Sequence, residues 1–240
     1  MPSPRIDGDG APDENVLHAV REQTHLLLGR TIGYSEADWA QPSRLPGWTR
    51  SHVAAHLVAN ARNLVAACEA LADGVADVAL SASSADEEAH DLELGALDDG
   101  LALQIALDTS AGALHDAMAE LAPGDATVRL KSEQEVPAHL IPLVRLHEVT
   151  LHYFDLSPDV DDIALEPTVA NDLLAFQVSR MDTAALPKVR VVSHEGFDAQ
   201  FGGEGEAPRV TGPAADLVVW LARDVVTPRV GGAVPLKRVG

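Results

Sequence analysis

The chain has 240 residues, and 17 Lys and Arg against 37 Asp and Glu give a formal charge of −20. A sequence pI near 4.6 makes the surface repel phosphate, which argues against sequence-independent nucleic-acid binding and against docking on anionic lipid. Hydrophobic residues at 46% can fill real cores, while aromatics at 4% among abundant Ala, Leu and Val favour packed helices over an aromatic-rich β sandwich.

Cys68 is the only cysteine, which excludes an intrachain disulfide, a multi-cysteine metal site and a two-thiol redox cycle within the chain. Any thiol chemistry would draw its thiol from outside. Residues 1–10 are polar and interrupted by Pro2, Pro4, Gly8 and Gly10, so they lack the apolar centre of a signal peptide. No apolar run approaches the ~20 residues that span a bilayer. A cytoplasmic, monomeric protein that binds neither membrane nor nucleic acid is expected.

Residues 1–12 read as a flexible N-terminus. From Asp13 to Ile32, Val16, Leu17, Val20, Leu26, Leu27 and Leu28 recur at helical spacing, and Gly33 stops the pattern. A connection carrying Pro42, Pro46 and Gly47 leads into a second helix, Thr49 to Ala72, which contains neither Gly nor Pro and is capped by Thr49 or Ser51. His52, His56 and Asn60 recur there every four residues and share one face. Residues 74–91, rich in Ser, Ala and acidic groups, read as a solvated loop with at most a partial helical turn.

A third helix is expected from Glu93 to Leu121, ended by Pro123-Gly124. Val128 and Leu130 suggest a short hairpin over 126–136, and Pro137 opens a fourth helix that runs to Leu156 and stops at Ser157-Pro158. The four helices predict a four-helix bundle over residues 13–157. Beyond an Asp-rich linker, 157–162, the pattern changes. A helix from Glu166 to Met181, strands at Val189–Val192, Phe197–Phe201 and Arg209–Val210, a helix from Pro213 to Asp224 and an extended end, Val230–Leu236, predict a small α+β domain over 163–240. The whole chain is therefore α+β.

The chemistry concentrates in the fourth helix, in the string Arg145-Leu146-His147-Glu148-Val149-Thr150-Leu151-His152-Tyr153-Phe154-Asp155-Leu156. It approaches the H-E-x-x-H signature of zinc proteases, but its second histidine falls one residue late. At about 100° per residue, His147 and His152 are roughly 140° apart, whereas Glu148 and His152 are only about 40° apart and can grip one ion. In an up-and-down bundle the second helix can bring His56 beside them, which would make a two-His, one-Glu set with an open position, the pattern of a catalytic zinc site. Taken alone, the same histidines also fit satisfied polar groups of a bundle interior. Trp48 reads as a core anchor at the helix entry, Asn60 equally as a bundle hydrogen bond, and Cys68 as packing.

The string Gly47-Trp48-Thr49-Arg50-Ser51-His52-Val53-Ala54-Ala55-His56, with Asn60-Ala61 behind it, resembles the start of the mycothiol-dependent maleylpyruvate isomerase family. Arg145, Glu148-Val149, His152 and Asp155-Leu156 resemble that family's second motif. The resemblance implies a DinB-like metal-binding bundle followed by a sterol-carrier-like domain. It further implies a zinc ion held by His56, Glu148 and His152, with His52 outside the ligand set, and mycothiol as thiol cosubstrate. Asn60 and Arg145 are expected to bind the cofactor. Arg223 is expected to be the catalytic arginine, although the family's Gly-Arg-Gly turn reads Ala222-Arg223-Asp224 here.

Turning a cis double bond into a trans one requires removing its π character. Reversible addition of a thiolate to the conjugated carbon of maleylpyruvate, rotation about the resulting single bond, and elimination would yield fumarylpyruvate. The same thiolate would serve a thiol S-transferase acting on another electrophile. A non-catalytic metal or small-ligand binding module is the reading from a different class.

Overall fold

The fold was read from a computed structural model that describes residues 10–81, 83–156 and 163–236. Most of the expected N-terminus, the linker 157–162 and residues 237–240 lie outside the described residues. The chain divides into two compact units, whose described parts are 10–156 and 163–236.

The first unit is a four-helix bundle with short additions. Its long helices are α1 (Glu14–Thr31), α3 (Arg50–Ala72), α5 (Gly100–Ala119) and α6 (Ile141–Leu156). α1 packs on α5 and α6, and α3 packs on the same two, which closes the ring. Helical periodicity sets the inner faces: Leu103, Leu107, Ser110, Leu114 and Met118 of α5 are buried at three- and four-residue spacings. Of the two caps the sequence offers for α3, Thr49 is the one used, in a capping box whose reciprocal partner is the His52 side chain; Asp13 caps α1.

Two helices depart from the sequence expectation. α2 (Glu36–Trp39) interrupts the first connection. α4 (Ala85–Gly95) forms where a loop was expected, with Ser84 and Glu87 as its capping box. The third helix is accordingly two helices, broken at residues 96–99, and Asp99 caps α5. Gly100 has a physical reason to be glycine: a Cβ there would stand 2.4 Å from the Trp39 ring. Its N–H donates to Glu36 Oε1 at 2.9 Å, so α2 closes over the start of α5.

The expected hairpin exists as β2 (Thr127–Arg129) and β3 (Glu135–Pro137), paired antiparallel. β1 (Asp77–Ala79), which the sequence reading lacks, adds to it in parallel with Val78 opposite Val128. A 3₁₀ turn, Ala138–Leu140, then leads into α6.

The second unit contains α7 (Pro167–Ser179), a 3₁₀ turn at Thr183–Ala185, β4 (Val189–Ser193), β5 (Asp198–Phe201), β6 (Arg209–Gly212) and α8 (Ala214–Arg223). β4 is central, antiparallel to β5 and parallel to β6. α8 buries Leu217, Val218, Trp220 and Leu221 against α7 and the sheet. The extended end expected over Val230–Leu236 is not a strand: Thr211 and Gly231 form one isolated bridge, and Gly232 turns the backbone at φ +71. Among the described residues no helix is long and apolar enough to cross a membrane.

Candidate metal centre

α6 is the most enclosed helix of the bundle: each of its residues except Glu148 is buried. The intermediate exposure of Glu148 marks the one place where the helix opens outwards. On α3, His56 faces it, with Nε2 3.1 Å from Glu148 Oε2. His152, one turn beyond Glu148, brings its own Nε2 to 3.4 Å from the same oxygen. One donor atom from each of His56, Glu148 and His152 lies within 4.8 Å of the others. The structure thus brings together the three residues expected as metal ligands.

The donor set suits a divalent metal. Ligand atoms about 2.0–2.2 Å from a tetrahedral zinc stand roughly 3.3 Å apart, close to the two separations on Glu148 Oε2. Three protein donors leave a fourth position, and the site opens towards it: the His56 and Glu148 side chains are 28% and 19% exposed, against 6% for His152. His152 is also oriented from behind, because its Nδ1 lies 2.9 Å from Asp155 Oδ2. That contact turns Nε2 towards the cluster, as carboxylate–histidine–metal sites require. The Asp155 carboxylate is itself buried, at 1% exposure.

Electrostatics agree with this arrangement. Burial alone would raise the Glu148 carboxyl, yet hydrogen bonds from His147, His152 and His56 hold it well below the usual carboxylate range. Burial likewise works against protonation of His152, but Asp155 and Glu148 raise it above an ordinary histidine. The half-buried Glu148 and the buried Asp155 carboxylates thus place negative potential at the point where the nitrogens converge.

His52 belongs elsewhere. Its Nδ1 accepts from the Thr49 backbone N–H at 3.2 Å and meets the Thr49 hydroxyl at 2.7 Å, and its Nε2 lies 3.4 Å from Glu93 Oε2. The ring is occupied with starting α3. Asn60 and Arg145, expected to bind the cofactor, lie in the bundle interior and bond to each other, Arg145 Nη1 donating to Asn60 Oδ1 at 2.8 Å. Burial draws the Arg145 guanidinium down to about 10, against the pull of Glu148, so it stays charged at neutral pH. Arg223 ends α8 in the second unit, followed by Asp224 in the left-handed region.

A cleft of about 740 Å³ opens beside the cluster, with His56 in its wall. This volume suits a small organic molecule. Trp48 is part of that wall and not the core anchor expected: it is half-buried and its ring centroid lies 5.5 Å from that of His56. Trp39 is the buried anchor, at 2% exposure. α4 supplies the outer wall, where Glu88 pairs with Lys131 at 2.9 Å. Sequence reading missed this wall because α4 buries nothing; the Ser84-x-x-Glu87 capping pattern was the available signal. Cys68 is buried on α3, its thiol pushed up to about 11 by burial and by Glu69.

Residues 20–157 match the family model of the mycothiol maleylpyruvate isomerase N-terminal domain. The chain belongs to that family. The matched segment contains His56, Asn60, Arg145, Glu148 and His152; Arg223 lies beyond it. No curated protein matches the chain. Two solved structures share its α+β fold over 98% of both chains at 20% identity. One is the crystal structure of the mycothiol-dependent maleylpyruvate isomerase, with a TM-score of 0.82, and the other is a histidine-to-alanine mutant under the same name, with a TM-score of 0.80.

Proposed function

We propose that this chain is a zinc- and mycothiol-dependent cis–trans isomerase that converts maleylpyruvate to fumarylpyruvate, acting as a cytoplasmic monomer. The observation that carries the reading is the convergence of His56, Glu148 and His152 inside the family segment and beside a cleft of small-molecule size. Bound there, zinc would supply an open coordination position and a positive charge that favours thiolate over thiol.

The chain's residues would do the rest. Asp155 holds His152 in the orientation that presents Nε2. Trp48 and α4 wall the cleft and restrict water around the reacting groups. In the reaction the thiolate sulfur forms a bond to the conjugated carbon, and the π pair moves to the carbonyl oxygen as an enolate. Rotation follows about the carbon–carbon bond that was double and is now single. The enolate pair then re-forms the double bond and expels the thiolate, so no thiol is consumed. Arg223 would stabilise the enolate or the substrate carboxylates, a role that a chain of charge −20 must give to a local cation.

The test is to incubate zinc-loaded protein with maleylpyruvate, with and without mycothiol, and to identify the product by mass and ultraviolet spectrum. Fumarylpyruvate formed only with the thiol, which is recovered unchanged, is expected. A product that retains the thiol would make the protein an S-transferase, and no turnover of either kind would leave a binding module.

A further inference from the structure

α3 and α6 run antiparallel where they meet, since His56 faces Glu148 and Asn60 faces Arg145. Asn60 is one turn beyond His56, and Arg145 is three residues before Glu148, so the polar pair forms a layer stacked about 5–6 Å from the donor layer. Arg145 is 2% exposed and Asn60 9%. Arg145 Nη1 donates to Asn60 Oδ1 at 2.8 Å and to the Leu57 backbone oxygen at 3.0 Å. A guanidinium only donates, so the Asn60 amide must present its oxygen. Leu57 is the residue directly after His56, so the second bond fixes the α3 backbone beside the ligand itself.

We propose that Arg145 and Asn60 are positioning residues, a buried cross-brace that sets the separation of α3 and α6 and with it the distance from His56 to Glu148 and His152. The inference rests on the reading of that triad as a metal site. Both groups are engaged with each other inside the bundle, and neither is in the lining of the cleft beside His56. The charge of Arg145 attracts the Glu148 carboxylate but opposes a divalent metal bound beside it, so charge alone does not account for a guanidinium at this position. What the guanidinium supplies is geometry. Donor atoms must stand about 2.0–2.2 Å from a zinc ion, and a helix shift of a fraction of that distance spoils the set.

The experiment titrates cobalt(II) into wild type, Asn60→Ala, Asn60→Asp and Arg145→Lys, reading affinity and the visible absorption of the bound ion, with far-ultraviolet circular dichroism to confirm folding. Asn60→Ala and Arg145→Lys should each weaken cobalt binding by about 10–100-fold, the range for residues that orient ligands, and should alter the absorption bands. Asn60→Asp keeps an acceptor for the guanidinium and should recover most of the affinity. Cobalt affinity and spectrum unchanged in Asn60→Ala would overturn the brace, as would an Arg145→Lys protein that behaves like wild type because charge alone sufficed. If Arg145→Lys fails to fold, the two Asn60 variants decide the matter between them. A wild-type protein that takes up no cobalt would overturn the metal reading itself, and the brace with it.

Discussion

α6 and α4 both pack on α3, and they are built by opposite rules. α6 buries every residue but one, so its position is dictated by the core, and that position carries two of the three donors. α4 buries no residue and is held by its caps and a few surface pairs, Lys131 with Glu88 among them. The candidate donors Glu148 and His152 therefore sit on the part of the bundle that is expensive to move, and the cleft wall on the part that is cheap to move. A site that must keep donor atoms in place while admitting and releasing a ligand has use for both.

The sharpest way to break this contrast is to remove a donor from the rigid side. His56→Ala should lose stoichiometric zinc and all isomerase activity, while His52→Ala should keep its metal, as elemental analysis of the purified proteins will show. Metal that follows His52 instead would make the donor on α3 the wrong residue. Chelating the metal from wild type should leave the helical circular dichroism intact, because a core of this size does not depend on zinc as a small finger does.

Next in size is Arg223→Ala, which should lower turnover by about a hundredfold, the scale for removing one preorganised charge. Zinc content and folding should not change. An unchanged rate would move substrate anchoring to a basic group of the bundle.

Stability separates the two helices directly. Leu146 of α6 is fully buried whereas Leu94 of α4 is 52% exposed. Leu146→Ala should cost about 2–5 kcal/mol in urea unfolding, and Leu94→Ala should stay within about 0.5 kcal/mol of wild type. Equal losses would show that α4 is as much a part of the core as α6.

The smallest expected effect is local to α4. Ser84→Ala removes the cap and should speed amide hydrogen exchange over the first turn, with little change in the global unfolding midpoint. Acid should likewise lower the protection of these amides, measured relative to their intrinsic exchange rates, which themselves fall with pH. Hydrogen bonds from the Ser84 backbone and side chain hold the Glu87 carboxyl below the ordinary glutamate value. A depressed folded value means that the cap contributes fully above the ordinary glutamate range and is lost as pH falls through the lower, folded one. Protection factors in α4 that stay constant through that acid range would show that the capping box does not hold the helix.

The same contrast governs what the sequence reveals. α6 and its Glu148–His152 pair were legible because burial writes periodic apolar residues and the donors sit one turn apart. The long helices α1 and α3 were legible for the same reason. α4 buries nothing and so leaves no apolar period, and its acidic residues read as solvated loop. β1 is three residues long and exists through its parallel pairing with β2, fifty residues away in sequence. The bond between Asn60 and Arg145 spans 85 positions, a pairing that no local pattern in the sequence reveals. At the C-terminal end Val230–Leu236 has a strand-like composition, but Gly232 turns the backbone directly after the single bridge at Gly231.

The state of Cys68 bears on how such a protein survives its own chemistry. An electrophile reactive enough to accept a thiolate will alkylate any thiolate that it meets, including one on the protein. With its thiol pushed up to about 11 and its side chain buried, Cys68 is ionised in only about one molecule in ten thousand at neutral pH. The chain presents almost no thiolate of its own to compete with an external one, and alkylating reagents such as iodoacetamide should leave the folded protein largely unlabelled.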